Sequence, residues 1–154
     1  MLGTLKSFLL GAAESKPQGP ADLQVAVVAL LIRAATSDAD FGVEEREAIR
    51  RIASASFGLP SSEVAELIAA AEGEEAETLD LHRWTQAIKA AYSEEERVGL
   101  IEKMWEVVYA DGVLDDYEAN LLRRVAGLIY VPDRESGQAR QRVMARLGVT
   151  SRTD

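Results

Sequence analysis

Residues 23–35, LQVAVVALLIRAA, form the longest apolar stretch of the chain and decide its fold class. The apolar side chains fall on every side of a helix, which is typical of a helix surrounded by others. The stretch has about two-thirds of the length of a membrane span and contains Gln24 and Arg33. It is therefore predicted to be a buried central helix, with Asp22 as its N-cap, and no integral membrane segment is expected.

A second segment of the same kind lies further along the chain. Residues 98–108, VGLIEKMWEVV, are again apolar on more than one side. Ser93 and Glu96 precede them with the spacing of a capping box, in which each side chain bonds the backbone N–H of the other residue. A second central helix is predicted here. Amphipathic helices are predicted around the two, at residues 44–57, from Ser61 and from Asp80.

The chain contains an internal repeat. The pentapeptide LPSSE at residues 59–63 recurs as VPDRE at 131–135, an offset of 72, and two Asp/Glu pairs seven residues apart recur at an offset of 71. No segment alternates like a strand. The prediction is an all-α compact helical bundle of two pseudo-repeated halves around two central apolar helices. Residues 1–20 are predicted to be a short amphipathic helix and linker, 21–148 the domain, and 149–154 a tail.

Composition narrows the functions that the chain can have. Its 154 residues carry a formal charge of -9 and contain no cysteine. The charge disfavours nucleic acid as a partner, and the lack of cysteine fits a cytoplasmic protein without thiolate chemistry. His82 is the only histidine, so neither a zinc site nor a Cys–His pair can form around it. The chain is expected not to be an enzyme. No definite cofactor is predicted, and the one candidate is a weakly bound Ca²⁺ or Mg²⁺ ion.

The aromatic and basic residues can each be explained by a structural role or by a binding role. Trp84 and Trp105 are in phase with apolar stripes and are expected in the core. Several arginines between 134 and 152 give the C-terminal region a basic face. This face is either a solvated helix surface or a docking surface, for an acidic partner or for the acidic segment AEGEEAET at residues 71–78.

The acidic junctions after the two central helices are the candidate site. The first is SDADFGVEEREAI at residues 37–49 and the second is ADGVLDDYEANLL at residues 110–122. Converging carboxylates of this kind suit Ca²⁺ or Mg²⁺. An EF-hand is excluded, because its early ligand positions would be Val107 and Tyr109. The alternative is that the carboxylates only cap helices, as the D-x-x-E spacing of Asp115 and Glu118 suggests.

The doubled pattern, with YADGVLDDYE and TSDADFGVEERE at its junctions, resembles the tellurite-resistance protein B-like (TerB-like) family. The resemblance covers residues 21–147. It implies an all-helical fold, an association of part of the family with bacterial stress and tellurite resistance, and cation binding at the junctions. Phe41 stands where the family usually has glycine.

Carried over to this chain, the family's metal residues are Asp40 and Glu47 in the first junction and Asp111 and Glu118 in the second. The resulting hypothesis is a non-catalytic TerB-like module that binds a divalent cation weakly at these residues and a partner protein on its helical surfaces. The alternative hypothesis is a purely structural interaction domain whose acidic residues only cap helices.

Overall fold

A computed structural model describes residues 20–36, 42–77, 81–111 and 116–148. These residues form helices and turns only, so the all-α prediction is confirmed for them. None of the described helices has the length and apolar character that crossing a bilayer requires. The predicted N-terminal helix and C-terminal tail lie outside the described residues. The helices are α1 (Pro20–Ala35), α2 (Val43–Phe57), α3 (Ser61–Glu77), α4 (His82–Ala91), α5 (Glu94–Val108), a 3-10 helix (Tyr109–Asp111), α6 (Asp116–Leu128) and α7 (Asp133–Leu147).

Helices α1 and α5 are the two central helices, as predicted. Seven consecutive residues of α1, from 26 to 32, are each at most 3% exposed. This helix packs against α5 and, more extensively, against α3 and α4, while α5 packs mainly against α7. Full burial of one aliphatic side chain contributes about 1.5–3 kcal/mol, so this stretch supplies much of the apolar stabilisation.

The two halves share their turn geometry. Gly58 after α2 and Tyr130 after α6 both adopt the left-handed conformation, with φ of 65° and 64°. They lie 72 positions apart and directly precede Leu59-Pro60 and Val131-Pro132. The predicted repeat of LPSSE and VPDRE is therefore confirmed as a repeated helix–turn–helix. The left-handed conformation costs more free energy for Tyr130, which has a Cβ atom, than for Gly58, which has none.

Three of the predicted helix starts, at Asp22, Ser61 and Ser93, can be compared with the structure. Asp22 lies in the first turn of α1, which already includes Pro20, and is not the N-cap. The capping box of α5 is confirmed, because Ser93 N donates to Glu96 Oε1 at 2.9 Å and Glu96 N donates to Ser93 Oγ at 3.2 Å. Ser61 is the first residue of α3 rather than its cap, and the Pro60 carbonyl accepts from Val64 N. Helix α4 begins at His82, and Asp80 lies outside the described residues.

Both tryptophans are core residues, as predicted. Trp84 is 2% exposed and Trp105 is 5% exposed. An arginine lies over each ring: Arg33 Cζ is 5.4 Å from the Trp84 centroid and Arg140 Cζ is 5.1 Å from that of Trp105. Arg140 Nε also donates to Tyr109 Oη at 2.8 Å. Each guanidinium thus covers the outer side of an aromatic core residue.

The acidic end of α3 is bound to three other helices. Glu75 accepts from Arg33 of α1 at 2.8 Å and Glu72 from Arg46 of α2 at 2.7 Å. Glu74 pairs with Arg83 of α4 at 3.1 Å. The carboxylates of this segment therefore hold the first half together, and their partners are not the C-terminal arginines.

Two of the C-terminal arginines bind the central helix α5. Arg146 contacts Glu102 at 2.8 Å and Glu106 at 3.3 Å, and Arg142 contacts Glu102 at 2.9 Å. Burial alone would raise the pKa of Glu102, but the hydrogen bonds from Arg146 and Arg142 outweigh it and lower that pKa below its ordinary value of 4.5. In the structure these two arginines therefore pair with α5 and not with the acidic segment of α3.

We expect the double variant Arg142→Gln/Arg146→Gln to be less stable than the wild type by about 1 kcal/mol at pH 7, since both guanidinium groups are half exposed. A lowered pKa stabilises the folded state above the unfolded value, and this contribution is lost as the pH falls below 4.5. The difference should therefore shrink in urea titrations at pH 3. Arg134→Gln, an exposed position on the same helix, is the control; a gap that stays constant with pH would contradict this account.

Candidate functional site

The second acidic junction connects α5 to α6. Asp111 is the last residue of the 3-10 helix, and Glu118 is the third residue of α6. Glu118 is only 7% exposed and has an interaction partner. Residues 112–115, which include Asp115, lie outside the described residues. The structure thus places both predicted residues of this junction at the two ends of one short connection.

The first junction has a different arrangement. Glu47, a predicted metal residue, has a side chain that is 67% exposed and contacts Arg50 at 3.5 Å. Glu45, two residues earlier, is 7% exposed and has an interaction partner. Residues two apart on a helix point to different sides, so burying Glu45 turns Glu47 outward. Asp40, the other predicted residue, lies outside the described residues.

The buried positions correct the register of the repeat at the junctions. Helices α1 and α5 end 73 positions apart, and the five buried residues of α2, at positions 45, 48, 49, 52 and 53, each lie 73 positions before a buried residue of α6. The sequence alignment at an offset of 71 placed Glu47 opposite Glu118. In the structure the residue equivalent to Glu118 is Glu45. The same count along the sequence pairs Asp111 with Asp38, which lies outside the described residues. The alignment was misled because Asp38/Glu45 and Asp40/Glu47 are both seven residues apart.

Gly42 explains how a carboxylate can be buried at the start of α2. It is the N-cap residue, in extended conformation, and a Cβ atom placed on it would collide with Glu45 Oε1. Glu45 therefore folds back over the N-cap from position N3, the position that Glu96 occupies in the capping box of α5. A G-x-x-E spacing at residues 42–45 was the sequence signal for this, although glycine supplies no side-chain oxygen for the reciprocal bond.

The glutamates near the starts of α2 and α6 offer carboxylate oxygens, which accept hydrogen bonds, at helix N-termini. Carboxylates there interact favourably with the backbone N–H groups and the helix dipole. Within residues 42–77, 81–111 and the other described ranges, no group of three or more His, Asp or Glu side chains is arranged to hold a metal ion. Further carboxylates of the two junctions, among them Asp38, Asp40 and Asp115, lie outside those ranges.

A second surface, between α4 and α6, was not identified from the sequence. It is a groove of about 690 Å³ with Leu81 and Leu128 on its apolar part and His82, Arg123 and Arg124 around it. Both arginines are exposed. Arg123 donates to Asn120 at 3.3 Å, and no carboxylate among the described residues is paired with either guanidinium. The sequence signal was the Arg-Arg pair on the polar side of an amphipathic helix.

Comparison with known proteins identifies one family. The family described as "Tellurite resistance protein TerB" matches residues 24–141, well over half of the chain. The chain belongs to this family. No curated protein and no solved structure matches it. The matched range contains most of α1, all of α2 to α6, both junctions and most of α7.

We expect Glu45→Gln to destabilise the protein by about 1–2 kcal/mol, because a buried carboxylate loses charge-assisted hydrogen bonds and its interaction with the helix N-terminus. Glu47→Gln is the matched control on the same helix and should change stability by less than about 0.5 kcal/mol, since the side chain is exposed. Urea unfolding of both variants measures the two values. Equal effects would show that the register deduced from the buried positions is wrong.

Proposed function

We propose that this member of the TerB family is a non-catalytic module that binds a partner protein on a helical surface and a divalent cation, weakly, at the second acidic junction. The observation that carries the cation site is the burial of Glu118 seven residues after Asp111. The family's description is the sole support for a stress-related role, and the lack of cysteine supports a cytoplasmic location.

The second junction is favoured over the first as the cation site. Asp111 and Glu118 lie at the ends of a connection that contains Gly112 and two further aspartates. Carboxylate, backbone carbonyl and water oxygens together supply the six to eight ligands that Ca²⁺ takes. The first junction offers Asp40 and Glu47 by sequence, but the exposure of Glu47 and its contact with Arg50 speak against that pair. The helix register supports Asp38 and Glu45 there instead.

The second candidate function is a purely structural interaction domain. It is favoured by one observation, the contact of Glu45 with the N-cap Gly42. A carboxylate that accepts from the backbone N–H of its cap residue, as Glu96 does from Ser93, has fewer lone pairs left for a cation. If Glu118 does the same at the start of α6, both junctions are helix caps and only the partner surface is functional.

Isothermal titration of Ca²⁺ and Mg²⁺ discriminates between these functions. We expect the wild type to bind with a Kd of about 10⁻⁴ to 10⁻³ M, the range of poorly enclosed sites, and to be folded without metal. Asp111→Asn/Glu118→Gln preserves shape and should abolish the heat signal, whereas the control Glu47→Gln should not change it. Flat traces for the wild type and the double variant alike would eliminate cation binding and leave the structural function.

The groove between α4 and α6 supports the partner-binding part of the proposal. Two guanidinium groups, which have no carboxylate partner among the described residues, stand beside the partly buried Leu128 on a chain whose net charge is -9. This combination suits an amphipathic helical segment with acidic residues, which would place an apolar side chain on Leu128 and pair with Arg123 and Arg124.

We expect a photo-crosslinking amino acid at Asn120, introduced in the source organism, to form an adduct of discrete mass with a partner protein. Asn120 lines the groove beside Arg123. Charge reversal by Arg123→Glu/Arg124→Glu should remove the adduct, because an acidic partner is then repelled. Arg134→Glu, a single charge reversal on α7 away from the groove, should retain it. An adduct that survives in the double variant, or none in any variant, would contradict the assignment of this groove.

A further inference from the structure

A different groove lies beside the start of α1 and is independent of the proposed function. It has a volume of about 570 Å³ and runs between the first turns of α1, the end of α2 and the first half of α5. Its floor is apolar, whereas its rim carries Ser56, Glu95 and Lys103. The floor consists of Leu23, Val27, Phe57, Tyr92 and Leu100.

This floor is incompletely covered by the described residues. Leu23, Phe57 and Tyr92 pack against the core but are only partly buried. Burial, together with the charge of Glu96, raises the pKa of Tyr92, so its phenol is neutral at physiological pH. Three large side chains that are half-buried at one place form an edge of the core that another apolar surface can cover.

The chain itself carries a segment that fits this edge. Residues 2–9, LGTLKSFL, have Leu2, Leu5, Phe8 and Leu9 at helical spacing on one side. Lys6 is the only charged residue of this segment, and it lies next to that apolar stripe. We propose that residues 2–9 form an amphipathic helix that packs its stripe into the groove of this same chain, with Lys6 facing Glu95.

The connection between segment and groove favours the same chain over a second copy. Residues 10–19 join the segment to Pro20, the first residue of α1, and Leu23 in the next turn lines the groove. Ten residues reach about 33 Å when extended, far more than this separation requires. A short tether keeps the segment at a high local concentration near the groove, which a second molecule does not match in dilute solution.

Charge also fits this occupant. The rim on the α5 side carries two carboxylates, Glu95 and Glu96, against one cation, Lys103, and the segment contributes one cation and no anion. Glu96 is engaged with Ser93 N in the capping box, so Glu95 is the carboxylate assigned to Lys6. The ion pair lies at the rim and contributes orientation, whereas the apolar contacts supply most of the binding free energy.

Disulfide trapping in the full-length chain tests this docking, because the natural sequence contains no cysteine. Thr4→Cys is placed beside the stripe and combined with Ser56→Cys at the groove rim. The control pair combines Thr4→Cys with Gln138→Cys, an exposed residue of α7, which does not line the groove. Both pairs are oxidised with glutathione in dilute solution, circular dichroism checks folding, and mass spectrometry quantifies the products.

We expect the groove pair to form an intramolecular disulfide about tenfold or more faster than the control pair. Adding Phe8→Glu to the groove pair should slow its closure to the rate of the control, because the stripe loses its largest apolar side chain and gains repulsion from Glu95. Equal rates for the two pairs would overturn the proposal. Disulfides mainly between two chains would also overturn it and would assign the groove to a second copy.

Discussion

The packing of α1 on all its sides is the constraint on which the rest of the structure depends. Residues 26–32 offer no polar side chain to solvent, so helices must cover this helix from every direction. Helices α3, α4 and α5 do so, and α5 is itself covered by α7. Helices α2 and α6 also pack against α1, and Glu45 and Glu118 near their starts are buried.

Charged side chains complete this arrangement at the edge of the core. The carboxylates of α3 bind arginines of α1, α2 and α4, and Glu102 and Glu106 of α5 bind arginines of α7. Several of these pairs are partly exposed, so each contributes modestly to stability. Their effect is mainly to orient the helices, and Arg123 and Arg124 stand outside these pairs, at the groove between α4 and α6.

At the acidic junctions, helix capping and the proposed cation binding would draw on the same oxygen atoms. A glutamate at position N3 stabilises its helix by accepting backbone hydrogen bonds, and a cation would compete for those lone pairs. This competition is the physical reason to expect weak cation binding even where carboxylates are concentrated. The two junctions differ in this respect. In the first, the carboxylate of Glu45 lies against Gly42, whereas the second has additional aspartates within the connection.

The sequence by itself determined the helical class, the two central helices, the repeated turns and the core positions of both tryptophans. These follow from local periodicity and from capping and turn residues, which act within a few positions of the chain. Only the tertiary structure decided which glutamate of the first junction is buried, because Glu45 and Glu47 fit the repeat equally well by spacing. It also decided the partners of the C-terminal arginines and the position of both grooves, since these depend on contacts between helices that lie far apart in sequence.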